Sequence, residues 1–122
     1  MNRSLEARHK TNCVKERMFF FRMKRTKPDE NLEYLIRGIL TLQTPEECLH
    51  FFEDLCSASE LQEMSRRLQA ARMLRNNHIY SEIAEQTGLS TATISRVNRC
   101  IKFGNDGYST VLDRVAQAER RG

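Results

Sequence analysis

No stretch of this chain approaches the roughly 18 consecutive apolar residues that a bilayer-spanning helix needs. Its hydrophobic residues, 39% of 122, are interspersed with 30% charged ones. A helical membrane protein is therefore not expected, and Met18-Phe19-Phe20-Phe21 is too short, and lacks the small-residue cleavage site, for a signal peptide. The four cysteines, Cys13, Cys48, Cys56 and Cys100, form no CxxC pair and have no clustered histidines. Structural zinc and other cofactors are thus not expected, and reduced thiols in a cytoplasmic protein are. His9, His50 and His78 stand without a carboxylate or cysteine at ligand or catalytic spacing, so the expectation is no metal site, no catalytic residues and no enzyme. No segment reads as a β-strand, which leaves an all-α chain.

Charge is present in quantity, but it is segregated. The net charge is +4. Residues 1–27 carry nine Lys or Arg against two acids, residues 28–65 carry Arg37 alone against nine acids, and residues 66–122 carry ten Lys or Arg against five. The basic balance of the whole is thus a property of the first 27 residues. Within the remainder, positive charge is concentrated in the second half, as a phosphate-facing surface requires. Residues 1–27 show no helical period and are expected to be a disordered basic extension, with a natural start at Met23 as one reading and a phosphate-tracking arm as another. The folded domain is expected over residues 28–122.

Six helical patterns follow in order. Asp29 to Leu42 carries Leu32, Leu35, Ile36, Ile39 and Leu40 at helical spacing. Thr44-Pro45-Glu46-Glu47 supplies an N-cap, a first-turn proline and a capping-box acid for a second helix bearing Leu49, Phe51, Phe52 and Leu55. Ser57 and Glu60 repeat the box and open a third helix to about Arg75, with a stripe through Leu61, Met64, Leu68, Ala71 and Leu74. A last helix is expected from Tyr108 to about Arg120, after the turn cluster Gly104-Asn105-Asp106-Gly107. The first two helices show more Leu, Ile and Phe than a thin helical layer can cover, so an obligate homodimer is expected.

Between the third and last helices lies Tyr80 to Lys102, where two short helical patterns meet at Gly88. Ala84 suits the close crossing of two helices, Gly88 a left-handed turn, and Ser90 the N-cap of the second helix. Ile83, Leu89, Ile94 and Val97 are expected to share one small core. This is the pattern of a helix-turn-helix. The second helix contains no acid, and Thr91, Ala92, Ser95, Asn98, Arg99 and Lys102 are expected on its outer side, facing a major groove of double-stranded DNA. Ser81 and Ser90, at the two helix starts, complete the expected DNA-binding set. An ordinary helical hairpin with a solvated face is the competing reading; the coincidence of Ala, Gly and Ile positions with an acid-free second helix weighs against it.

The run Ala92-Thr93-Ile94-Ser95-Arg96-Val97, together with FFEDLC, SEIAEQTG and STATISRVNRC, resembles the Trp repressor family and within it the YerC/YecD-like branch, over roughly Asp29 to Gln117. The resemblance implies a six-helix Trp-repressor-like fold, an intertwined homodimer and operator reading through the helix-turn-helix. It also implies an effector crevice, whose two arginines correspond to Arg67 and Arg96. At that crevice the sequence departs from the family: Val97 stands where the family has the glycine under the ligand's ring, and Cys100 where it has a ligand-contacting serine. Overlap of this kind typically costs about 1–3 kcal/mol, so tryptophan is not carried over as effector. The function expected is a sequence-specific transcriptional regulator, a repressor at near-palindromic operators; the alternative is an accessory DNA-binding module of a transposition or replication-origin system.

Overall fold

A computed structural model describes residues 29–122; the extension expected over residues 1–27 lies outside them. Among the described residues there are six α-helices and no strands: α1 Glu30–Ile39, α2 Pro45–Leu55, α3 Ala58–Arg75, α4 Tyr80–Thr87, α5 Thr91–Phe103 and α6 Gly107–Arg121. Contacts group the chain into two compact units, one ending at Cys48 and the other running Leu49–Gly122, with the boundary inside α2.

In the first unit, Asp29 caps α1 by accepting from the backbone N–H groups of Asn31 and Leu32, each at 3.1 Å. The helix stops at Ile39, short of the Leu42 expected from its apolar spacing. The reason is a tightened last turn: the N–H groups of Thr41 and Leu42 bond back three residues, to Gly38 and Ile39, and the Thr41 hydroxyl also donates to Gly38 at 2.6 Å. At the start of α2, the Thr44 hydroxyl accepts from the Glu47 N–H at 3.1 Å. The Glu47 carboxylate accepts from Gln43, one residue ahead of the cap, so the clasp is wider than the expected box. Neither α1 nor α2 contains a buried residue.

The second unit is organised along α3. Its start is the expected capping box, with Ser57 accepting from the Glu60 N–H and Glu60 accepting from the Ser57 N–H. Its end is a Schellman motif: the N–H of His78 bonds to the Met73 carbonyl, that of Asn77 to Leu74, and Asn77 takes a left-handed φ of 63° that asparagine tolerates. Burial along α3 lies in its second half, at Ala70, Ala71 and Met73. Met64 and Leu68, expected on the buried stripe, are exposed. The buried contacts of α3 with the helices of this unit are thus concentrated in its last two turns.

Two clusters fill the interior of this unit, where one was expected. Ala70 and Met73 of α3 pack with Ile83, Leu89 and Ile94. Val97 belongs to the other cluster, with Ala71 and Leu112. The split follows from helix geometry: Val97 is one turn beyond Ile94 and meets α6, which supplies Leu112, while adjacent Ala70 and Ala71 differ by 100° and serve one cluster each. Leu74 packs against both clusters. Arg75 ties α3 to α6 through Asp113 at 2.6 Å, an exposed pair contributing about 0–1 kcal/mol.

The turn between α4 and α5 is held by three residues. Gly88 has φ +74°, the left-handed conformation anticipated for it. Ser90 caps α5, accepting from the Thr93 N–H at 3.1 Å. Thr87, which periodicity did not single out, is buried; its hydroxyl donates to the Ile83 carbonyl at 2.6 Å and accepts from the Leu89 N–H at 3.2 Å. Replacing that hydroxyl by a methyl in Thr87→Val strands the Leu89 N–H, and we expect a loss of about 1–3 kcal/mol in denaturant unfolding. In Gly88→Ala the added Cβ meets open space, so the expected loss of about 1–2 kcal/mol comes from the left-handed backbone alone. Gly88→Asn should then recover part of it, and a Gly88→Asn protein no more stable than Gly88→Ala would contradict this account.

Candidate nucleic-acid interface

The exposed side of α5 begins at its first residue. Thr91, Ala92, Ser95, Arg99 and Lys102 are all exposed, on a helix whose other side is anchored by buried Ile94 and Val97. No acid interrupts this helix, and Arg96, Arg99 and Lys102 give it three positive charges. A helix of this kind is about 10–12 Å across, matched to a major groove about 12 Å wide. Ser90 is exposed, but its hydroxyl is engaged by Thr93, accepting from the backbone N–H and lying 3.0 Å from the Thr93 hydroxyl.

Asn98 differs from the other residues expected on this face. It is half-buried, and its side-chain amide donates to the Tyr80 hydroxyl at 3.0 Å. The spacing of α5 puts Asn98 one turn beyond Ile94, on the edge turned toward α4. Tyr80 was not among the residues singled out in the sequence, although an aromatic residue at the first position of a short helix was the available signal.

Ser81 is exposed in the first turn of α4. The residue ahead of that helix, Ile79, offers no side-chain cap, so the first-turn N–H groups lack the side-chain acceptor that Asp29, Ser57 and Ser90 provide elsewhere. His78 has a carboxylate beside it: its Nδ1 lies 3.1 Å from Glu82 Oε2. Both side chains are exposed, and the i,i+4 relation arises because α4 begins early enough to carry Glu82 back over the turn. Among the described residues, no group of three or more His, Cys, Asp or Glu is arranged to hold a metal ion. No described helix is long and apolar enough to cross a membrane.

The residues expected to form an effector crevice are distributed unevenly. Arg67 is half-buried and pairs with Glu63 at 3.1 Å, whereas Arg96 is exposed and forms no ion pair among the described residues. Cys100 is an exposed free thiol. Arg67 and Cys100 share a neighbour in Tyr108 of α6. Burial pushes the Tyr108 phenol above its ordinary pKa, Cys100 adds to the rise, and the Arg67 guanidinium opposes it. Val97 is 3% exposed and packs against Ala71 and Leu112. Its side chain therefore fills the joint between α3, α5 and α6.

The arrangement has counterparts among known proteins. The family model described as Trp repressor protein matches residues 30–116. The uncharacterised protein YerC of Bacillus subtilis (strain 168) is 50% identical over 90 residues, which cover 74% of this chain and 86% of that protein. The crystal structure of a TrpR-like protein from Eubacterium eligens ATCC 27750 superposes with a TM-score of 0.71 at 45% identity, covering 76% of this chain and 95% of that one. A candidate Trp repressor from Staphylococcus aureus gives a TM-score of 0.71 at 44% identity, covering 77% and 93%. With six helices in this order and a basic face on the fifth, the chain belongs to the Trp repressor family and is, in that general sense, a DNA-binding regulator.

Proposed function

We propose that this regulator is a sequence-specific transcriptional repressor that acts as a homodimer by occupying a near-palindromic operator. The observation that carries the reading is the acid-free, exposed face of α5, whose opposite side is locked into two buried clusters. In this reading Thr91, Ala92 and Ser95 meet base edges, a thymine methyl or the adjoining phosphate. Arg99 and Lys102 meet phosphates, and Ser81 joins the uncapped amides of α4 in holding one more. Ser90 contributes by fixing the start of α5.

A second copy is supported by what this chain leaves uncovered. Leu32 of α1, Leu40 just after it, and Leu49 and Leu55 of α2 are 40–79% exposed. Met64 and Leu68 on α3 and Val111 and Val115 on α6 are exposed as well. Leu68, Leu112 and Val115 line part of an open groove of about 470 Å³ between these two helices. A two-fold partner covering such surfaces would also double the short reading helix, which alone makes too few base contacts for tight binding.

Tryptophan has no role in this mechanism. What supports this is Val97, at the position the family's glycine takes by resemblance, whose contacts with Ala71 and Leu112 are internal, and Arg67, which already has Glu63 as partner.

Sequences selected from a random DNA pool should share a near-palindrome with half-site centres about 34 Å apart. Thr91→Ala and Ser95→Ala should each lower specific binding about 5–150-fold, about 1–3 kcal/mol for a lost base contact, and leave low-salt non-specific binding unchanged. Lys102→Ala should weaken all sequences alike and reduce the salt slope by about one. An unchanged specificity ratio in Ser95→Ala would displace the reading face.

Light scattering at micromolar concentration should find a dimer and no folded monomer. Calorimetry should find no tryptophan binding tighter than about 100 μM, roughly −5.5 kcal/mol. Tighter binding that also raises operator affinity would restore a co-repressor mechanism.

A further inference from the structure

Among the described residues, a single side-chain hydrogen bond joins α4 to α5: the Asn98 amide donating to the Tyr80 hydroxyl at 3.0 Å. Apart from the α3–α6 pair Arg75–Asp113, the other side-chain bonds are local, linking residues no more than four apart. What otherwise sets the angle between the two reading helices is the turn at Gly88 and the packing of Ile83, Leu89 and Ile94 with each other and with Ala70 and Met73 of α3. Apolar packing is non-directional, and a cluster this small resists sliding and rocking less firmly than it resists separation.

The bond lies far from the turn on both helices. Tyr80 is the first residue of α4 and Asn98 the eighth of α5, so each stands about 10–12 Å from the turn at 1.5 Å per residue. A 10° change in the angle between the helices would move the bonded atoms apart by about 2 Å on such an arm. A hydrogen bond survives only a few tenths of an ångström of stretch. While the bond is intact and both side chains keep their rotamers, the angle is confined to a few degrees, within the 10–20° to which a binding surface must be held. Tyr80 is itself supported, since its ring packs against the Ile83 cluster. Asn98, half-buried and with its amide directed inward, is poorly disposed to reach a base edge.

We propose that Tyr80 and Asn98 form a positioning pair that fixes the orientation of the recognition helix α5 for DNA reading, and that Asn98 acts through Tyr80 and not through a contact with DNA. The proposal rests on the reading of α5 as the DNA-contacting helix. Tyr80→Phe removes one hydroxyl and keeps the packing ring; Asn98→Leu replaces the amide by a side chain of similar size.

The experiment is a double-mutant cycle with two readouts. The first is the ratio of specific to non-specific DNA affinity, measured on folded protein at 25 °C with the selected sequence. Each single variant should lower this ratio about five- to tenfold, and the double variant no further than either single. Additive losses, or an unchanged ratio in Tyr80→Phe beside a loss in Asn98→Leu, would overturn the proposal; the latter is the signature of a direct Asn98 contact with DNA. A loss of thermal stability with the ratio intact would overturn it equally, because a merely structural bond changes how much protein is folded and not how it reads.

The second readout needs no DNA. Residual dipolar couplings of the α4 and α5 amides report the angle between the helices, and Tyr80→Phe should change it or broaden its distribution. An angle identical to that of the unsubstituted protein would overturn the proposal. If the unsubstituted protein selects no sequence at all, the reading of α5 fails, while the couplings still decide whether the pair sets its orientation.

Discussion

The close approach of α3 to the helices around it is the constraint on which the second unit depends. Ala70 and Ala71 are both fully buried, and with only methyl groups between the backbones the neighbouring helices come near enough to share contacts along α3. Because the two alanines are adjacent, they face directions 100° apart. One closes over Ile83, Leu89 and Ile94, the other over Val97 and Leu112. A larger side chain at either position would separate a pair of helices and disturb the seat of α5. Helix α5 is thus held from beneath along two turns, which leaves its outer side free of structural duty.

This division of labour accounts for the chemistry of α5. Its inward residues are Ile94 and Val97, both buried; its outward ones are small, hydroxylated or basic. In the reading proposed above, the small residues at the N-terminal end would let the backbone approach a groove floor and the cations toward the C-terminal end would meet phosphates. Asn98 sits at the seam between these two sides. In the same core Val97 joins α5 to α3 and α6 through Ala71 and Leu112.

The exposed apolar residues follow a pattern of their own. They fall on α1 and just after it, on α2, at Met64 and Leu68 of α3, at Ile79 ahead of α4 and on α6, while on α5 the exposed large apolar residue is Phe103 at its end. The large exposed apolar residues and the basic, acid-free face of α5 are therefore largely separated on the chain. Charge follows the same division, with acids concentrated in residues 28–65 and bases from residue 66 onward.

The sequence by itself determined the features that depend on local stereochemistry. The six helices, the caps at Ser57 and Ser90, the left-handed Gly88 and the polar, acid-free face of α5 could all be read from it, because each is settled by residues within one or two turns. Tertiary structure alone decided whatever depends on which helix lies opposite. It moved Val97 out of the cluster of Ile83 and Ile94, since α6 brings Leu112 to meet it from far along the chain. It left Met64 and Leu68 exposed on an apolar stripe that periodicity marks as continuous, since the buried contacts of α3 gather at Ala70, Ala71 and Met73. It gave Thr87 two hydrogen bonds and His78 a carboxylate, and it turned Asn98 inward to Tyr80, eighteen residues away. Helical periodicity reports that a side chain lies on a given face, but a bond across two helices depends on their crossing angle, which no local pattern encodes.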